Sequence, residues 1–451
     1  MMLNVRNLTM VTAAGLVFSM SAAQADTLED AFIATYNSSP VLEAERANLR
    51  ATDENVAQAI AGWRPTISAN GSIGRNESDN FFDQGQPGKS VMKPKRGAVT
   101  LNQPVFNSFR TLNQKREADA QVMAGRARLA SVEQSVLLSV VQVYMDVLRD
   151  EAVLRLRQNN VQVLNRQLEA AKDRFEVGEI TRTDVSQSEA RLSMAVSRRI
   201  GSEADLSGSR AAYRRIVGDM PGTLEQPAEL PLLPESEDDA IEIAMAEHPD
   251  LAGAQFAEKA ARHAISTAKG GFGPSVDFVA EHTESKNTFV EGFSSGADTL
   301  TLQASIPLYQ GGAASSRVRQ AKYVHAARRI EVSQAEREVQ EEVRNAWEAV
   351  RSSRAIIEAS QAAVDANTIA LEGVRQEAEV GSRTVLDVLD AEQELLDSQV
   401  ELVRAQTNHF VARFRLLSSV GRVTPDYLSM QGDRYDPEVS YRKAKRRWFG
   451  W

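Results

Sequence analysis

Two proline-free stretches, each broken once by a Val-Gly turn, constrain the fold of this chain more than any other feature. No proline falls between Pro104 and Pro221, or between Pro307 and Pro425, so each stretch is free to be helix on both sides of its turn. The turns are near copies: "EVGEITRTDV" at 176–185 and "EVGSRTVLDVLDAEQ" at 379–393. Gly178 and Gly381, Asp184 and Asp387, and Pro104 and Pro307 are all 203 residues apart, whereas Pro40 and Pro249, and Pro65 and Pro274, are 209 apart. The first copy therefore carries six extra residues between Pro65 and Pro104. The chain is a tandem repeat with one length change, placed in a hairpin.

The same elements are predicted in both copies. A helix (27–62; 238–270) leads into a strand pair (about 66–103; 275–306), then a long helix (108–176; 313–379), a turn (177–184; 380–387) and a returning helix (184–217; 385–419). This gives a first repeat at 26–219, a Pro-rich connector at 220–237 read as an ordered strap or linker, a second repeat at 238–424, and a C-terminal tail at 425–451. A 70-residue helix spans about 100 Å, and the two shorter helices of a repeat stacked end to end would match it. In the first long helix, Val136, Val140, Val143 and Val147 form one apolar seam, and Leu137, Val141, Tyr144 and Leu148 a second. Two seams suit a helix with a neighbour on each side. The second copy keeps Val339, Val343, Ala346 and Val350 but has Gln340, Arg344, Trp347 and Arg351 on the other seam.

Residues 1–25 carry Arg6, an apolar stretch from Leu8 through Phe18 and the small-residue site Ala23-Gln24-Ala25, which reads as a secretory signal peptide cleaved before Asp26. The chain has no cysteine, which removes disulfides, thiolate metal sites and a lipidated N-terminal Cys. After the signal, no run is apolar and long enough for a membrane-spanning helix, so a membrane crossing would have to use strands. A net charge of −9 argues against nucleic acid as a partner; the basic run Tyr441–Arg447 reads as a solvated tail or as contact with an anionic surface. The five histidines are scattered and no catalytic or metal-binding spacing occurs, so neither an enzyme nor a cofactor is expected. "GGFGP" at 270–274 lacks the features of a phosphate loop and marks a helix-to-strand break, paired with "AGWRP" before the first strands.

The strand segments alternate. Ile67, Ala69, Gly71 and Ile73 share one face; Leu300, Leu302, Ala304 and Ile306 do so in the second copy, against Thr301, Gln303 and Ser305. Between the strands, Asn76–Lys95 and about His282–Ala297 read as long polar loops. Two soluble hairpins would show the same pattern, but four strands leave edges, and three chains would close a twelve-stranded barrel.

With these elements in order, the chain resembles the TolC family of trimeric outer-membrane efflux and secretion channels. The likeness rests on "SPVLEAERANLRATDENVAQAIAGWRPTISANGSIG", "HPDLAGAQFAEKAARHAISTAKGGFGPSVDF", "LNQPVFN", "IPLYQGG" and the two Val-Gly turns. It implies an α+β membrane protein in which a homotrimer forms a 12-stranded β-barrel in the outer-membrane lipid, continuous with a 12-helix α-barrel in the periplasm. The connector and C-terminal region would form a belt around its middle. It further implies a passive exit channel of a tripartite efflux pump or type I secretion system, coupled through a periplasmic adaptor (membrane fusion) protein to an inner-membrane efflux pump or secretion ATPase. The competing reading is a periplasmic coiled-coil adaptor or scaffold without a pore.

At the turns, Gly178 and Gly381 fit left-handed helix-terminating positions, and Thr181 with Asp184, and Thr384 with Asp387, fit capping boxes. Asp390 lies three residues beyond Asp387 where the first copy has Gln187. In a trimer, Asp387 and Asp390 would gather six carboxylates around the axis, a cation-favouring constriction; the alternative is solvated capping and surface residues. The resemblance assigns Arg383 to a tip latch with Thr183 and Asp184 of a neighbouring helical hairpin, and assigns adaptor contact to Val177, Gly178, Glu179, Val380, Gly381 and Ser382. The family's tyrosine three residues before the second tip glycine is here Ala378. Trp63, Pro65, Phe272 and Pro274 mark the helix-to-strand junctions.

Overall fold

The computed structural model describes residues 26–81, 87–227, 232–288, 291–428, 430 and 434–448; the predicted signal peptide lies outside the described residues. The first repeat comprises α1 (Leu28–Ser38), α2 (Pro40–Ala61), β1 (Thr66–Ile73), β2 (Asn76–Phe81), β3 (Pro87–Met92), β4 (Lys95–Phe106), α3 (Arg110–Glu176) and α4 (Arg182–Val217). The second comprises α5 (Glu237–Glu247), α6 (Pro249–Lys269), β5 (Ser275–Lys286), β6 (Ser294–Ser305), α7 (Ala313–Glu379) and α8 (Val385–Ser419), and α9 (Pro437–Arg446) follows.

Each predicted opening helix, 27–62 and 238–270, is in fact two. Ser39 and His248 are extended, with ψ of 118° and 123°, and each precedes the proline at the first position of the next helix. The proline ring disfavours a helical conformation in the residue before it, so the helix ends and restarts. The returning helices end beside these breaks. Gly218 has φ 107° and lies against Ser38, while a Cβ on Gly421 (φ 85°) would sit 2.8 Å from the Glu247 carbonyl oxygen. Thus α4 stops where α2 begins, and α8 stops where α6 begins. The stacked column beside α3 is α2 with α4, and α1 packs at the joint against both α3 and α4.

The joint is where the chain is most apolar. Both predicted seams of α3 are used: Leu137, Val140, Val141, Val143, Tyr144 and Val147 are buried with Phe32 and Tyr36 of α1, Tyr213 of α4, and Phe410 and Phe414 of α8. Burying a side chain of this size stabilises by about 1.5–3 kcal/mol, so this cluster holds the two repeats together. The connector is anchored here. Leu224 pairs with Asp26 as a parallel bridge, and the Tyr144 hydroxyl lies 2.6 Å from the Glu225 carbonyl and 2.9 Å from that of Asp26. On α7, Val339 and Val343 are buried with α5 and α6, but Tyr323, Ile330, Ile356 and Ile369 stay exposed on the single chain.

The main sheet is antiparallel, ordered β1-β4-β5-β6. Ile67, Leu101, Ala280 and Leu300 align in one cross-strand row, and Ser68, Thr100, Glu281 and Thr299 in the next, which gives an apolar and a polar face. The predicted polar loops are shorter than expected. β2 and β3 pair within 76–92, and β5 and β6 run on to Lys286 and from Ser294. A ladder is made of backbone hydrogen bonds and tolerates polar side chains on both faces beyond the apolar band; apolar alternation therefore marked only its inner part. The β2–β3 hairpin holds the six-residue difference between repeats. No described helix is long and apolar enough to cross a membrane.

The basic run at the C-terminus is not a free tail. It lies in α9, which is capped by Asp436 and packs against α2.

Candidate functional site: the hairpin tips

α3 and α7 end in the same way. Gly178 (φ 82°) and Gly381 (φ 78°) are left-handed, a conformation a Cβ disfavours. In the first turn, the Glu179 amide donates to the Arg174 carbonyl (2.9 Å) and the Gly178 amide to that of Phe175 (3.0 Å). In the second, Ser382 donates to Glu377 (2.9 Å) and Gly381 to Ala378 (3.1 Å). Both are Schellman terminations, which satisfy otherwise orphaned carbonyls. Val177, Glu179 and Val380 are exposed, with Val380 at 80%, so each tip presents an apolar residue and a polar backbone turn to its surroundings.

The returning helices start with capping boxes. The Thr181 amide donates to Asp184 Oδ2 at 2.8 Å, and the Asp184 amide to Thr181 Oγ1 at 3.4 Å. The matching distances for Thr384 and Asp387 are 2.9 and 3.2 Å. The hydroxyl of Thr384, then its amide, and then the charge of Arg383 hold the Asp387 carboxyl below the usual carboxylate range.

Within the chain, Arg383 pairs with its own turn: its Nε donates to Glu377 Oε2 at 2.8 Å. Asp184 is held by Thr181, and Thr183 lies exposed in the first turn of α4. Asp390 has a partner on the other hairpin: Arg191 of α4 donates to it. Residue pattern alone missed Arg191. The signal lay in the repeat: positions 187 and 191 are Gln and Arg, while 390 and 394 are Asp and Glu, so the two copies differ in charge on facing turns. Two residues beyond Asp390 along α8, Glu392 is buried, accepting from Arg375 of α7 at 2.9 Å and from Gln167 of α3. Arg191–Asp390 and Gln167–Glu392–Arg375 join the two hairpins just behind their ends, beside an apolar contact of Val161, Leu164 and Ala195 with Leu389.

At the other end, the junction residues Trp63 and Phe272 are exposed with Phe109, Leu308 and Tyr309, an aromatic and apolar girdle where helices give way to strands. A Cβ on Gly273 would meet Ser108 Oγ at 2.1 Å, and that hydroxyl donates to the Pro274 carbonyl at 2.7 Å. "GGFGP" is thus a site of close backbone approach. Among the described residues no cluster of His, Asp and Glu is disposed to hold a metal ion.

The family model for outer membrane efflux proteins matches residues 34–219 and 240–422, one match per repeat. The chain belongs to the outer membrane efflux protein family. It is 33% identical to the outer membrane efflux protein BepC of Brucella suis over 98% of this chain and 95% of that one. It is 26% identical to the outer membrane protein TolC of Vibrio cholerae, over 97% and 99%. Among solved structures, the outer membrane protein VceC of Vibrio cholerae superposes with a TM-score of 0.74 at 19% identity, covering 87% of this chain and 96% of that one. The protein is therefore an outer-membrane efflux channel of the TolC type, and the reading as a pore-less scaffold falls. Four strands from each of three chains close the barrel that the free edges of β1 and β6 leave open in one chain. The channel works with pump or secretion systems of the cell envelope.

Proposed function

We propose that the hairpin tips form the gate of this exit channel and the surface through which a periplasmic adaptor couples it to an energised inner-membrane transporter. The observation that carries this is the duplicated tip: two Schellman turns and two capping boxes of the same geometry, with Val177, Glu179, Val380 and Ser382 exposed at the ends. Hairpin ends built alike on both repeats present six similar docking surfaces in a trimer. Asp387 and Asp390 lie on the first turns of α8, where carboxylates gathered about the axis attract cations. In the closed trimer Arg383 would exchange its exposed bond with Glu377 for one to Asp184 of an adjacent hairpin. Exposed pairs of this kind are weak, so adaptor docking could shift Arg383 between them. With Ala378 in place of an aromatic hydroxyl, the closed state rests on few such links.

The deciding experiment is single-channel conductance of the purified protein in a planar bilayer, with cation selectivity read in a salt gradient. Small cation-selective steps, enlarged in Arg383→Ser while the heat-modifiable trimer persists, are expected. Conductance unchanged by that substitution would remove Arg383 from the gate.

A further inference from the structure

The basic helix α9 has a fixed place in the molecule. Ala444 is buried, and Tyr441 packs against the cluster formed by Val56 of α2 with Ala118 and Val122 of α3, its hydroxyl donating to Asp119 at 2.9 Å. Near its start, Arg126 donates to Glu438 at 2.7 Å. At its end, Arg64 donates to the Arg447 carbonyl at 2.9 Å and lies 4.7 Å from the Trp448 ring centre. These contacts give α9 a direction. As it runs from Glu438 to Trp448, its partners on α3 recede from Arg126 to Asp119 and its last partner is Arg64, two residues before β1. The helix therefore runs toward the sheet and ends at the level of Trp63, Phe109 and Phe272, where the strands start.

The face turned away from the bundle carries Arg442, Lys443, Lys445 and Arg446, all exposed. Arg442 pairs with Glu438 at 3.5 Å; Lys443, Lys445 and Arg446 form no ion pair among the described residues. Trp448, 61% exposed, stands at the same end. This positive patch belongs to a chain with net charge −9, so it is not part of a generally basic surface. Basic side chains on flexible apolar stems, next to an exposed indole, match the chemistry of a phospholipid headgroup layer, and Arg447 is held by Arg64, two residues before the first strand of the sheet.

We propose that α9 is a membrane-surface clamp, its basic face binding anionic phospholipid headgroups of the periplasm-facing leaflet and steadying each of the three chains where the helical tube meets the bilayer. The proposal rests on the barrel reading of the strands. With no cysteine in the chain, the clamp is a non-covalent attachment at the membrane surface.

The test is native mass spectrometry of the full-length detergent-solubilised trimer titrated with dioleoyl-phosphatidylglycerol or dioleoyl-phosphatidylcholine. The wild-type trimer should retain phosphatidylglycerol in preference to phosphatidylcholine, and the preference should fall as salt is raised. Lys443→Glu with Lys445→Glu and Arg446→Glu should weaken phosphatidylglycerol retention by about tenfold or more. The Gln version of the three substitutions leaves Tyr441 and Ala444 untouched and should give an intermediate loss, which guards against misfolding of the Glu variant. Equal retention of both lipids by the wild type, or equal phosphatidylglycerol retention by wild type and both variants, would overturn the proposal. Conductance in a bilayer of phosphatidylcholine alone tests the barrel separately: channels there with no headgroup preference would fault the clamp and leave the barrel intact.

Discussion

At the scale of single residues, the tip turns show how little sequence is needed to fix a local structure. Gly178 and Gly381 can sit at φ near 80° because they lack the Cβ that would crowd the carbonyl there, and the threonine–aspartate pairs were legible because a capping box has one spacing. What each carboxylate does beyond capping was less legible. Asp387 is bound by Thr384 in the folded chain, which lowers its pKa. A group so depressed adds stability that is present above its unfolded value and lost as pH falls through the folded one. Hydrogen exchange of the amides at 381–388, corrected for intrinsic rate, should therefore stay constant from neutral pH down to about 5 and rise below about 4. Asp387→Asn should remove that acid limb. An identical acid limb in the variant would assign it to another carboxylate.

At the scale of elements, pairing across the hairpins changes what the proposed constriction can be. Asp390 shares its charge with Arg191, so in that proposal three of the six carboxylates would carry a close counter-ion, whereas Arg383 beside Asp387 is itself paired with Glu377 and would leave Asp387 more of the unneutralised field. Block by a multivalent cation such as hexamminecobalt should weaken by about tenfold or more in Asp387→Asn and by less in Asp390→Asn, while Arg191→Gln should strengthen it. Equal effects of the two Asp substitutions would mean that Arg191 leaves Asp390 in the conducting trimer. The helix breaks at Ser39 and His248 carried a sequence signal, the following prolines, but a proline at the first turn of a helix and one that ends a helix look alike until the preceding residue's conformation is known. The strand extents beyond the apolar rows had no side-chain signal at all.

At the scale of the whole molecule, the single chain is unfinished by design. β1 and β6 are free edges that neighbouring copies of the chain complete in the barrel, and apolar residues of α7 are exposed on the single chain. Ser68→Cys on β1 with Thr299→Cys on β6 should be bridged by a short bis-maleimide into dimers and trimers that survive heating in detergent, with no native cysteine to confuse the result. A ladder from neither pair member alone, but from both together, is expected; only monomers would mean that these edges do not meet. By itself the sequence determined the duplication, the long helices, the tip turns, the junctions and the alternating strands, because each is set by local spacing: proline and glycine stereochemistry, a helical or two-residue period, a cap three residues away. Only the tertiary structure decided that Arg191 meets Asp390, that Arg375 and Gln167 share Glu392, and that α9 folds back along α2 to Arg64. Those contacts join residues from 17 to 383 positions apart, and no period or motif in the chain specifies which distant turn will face which.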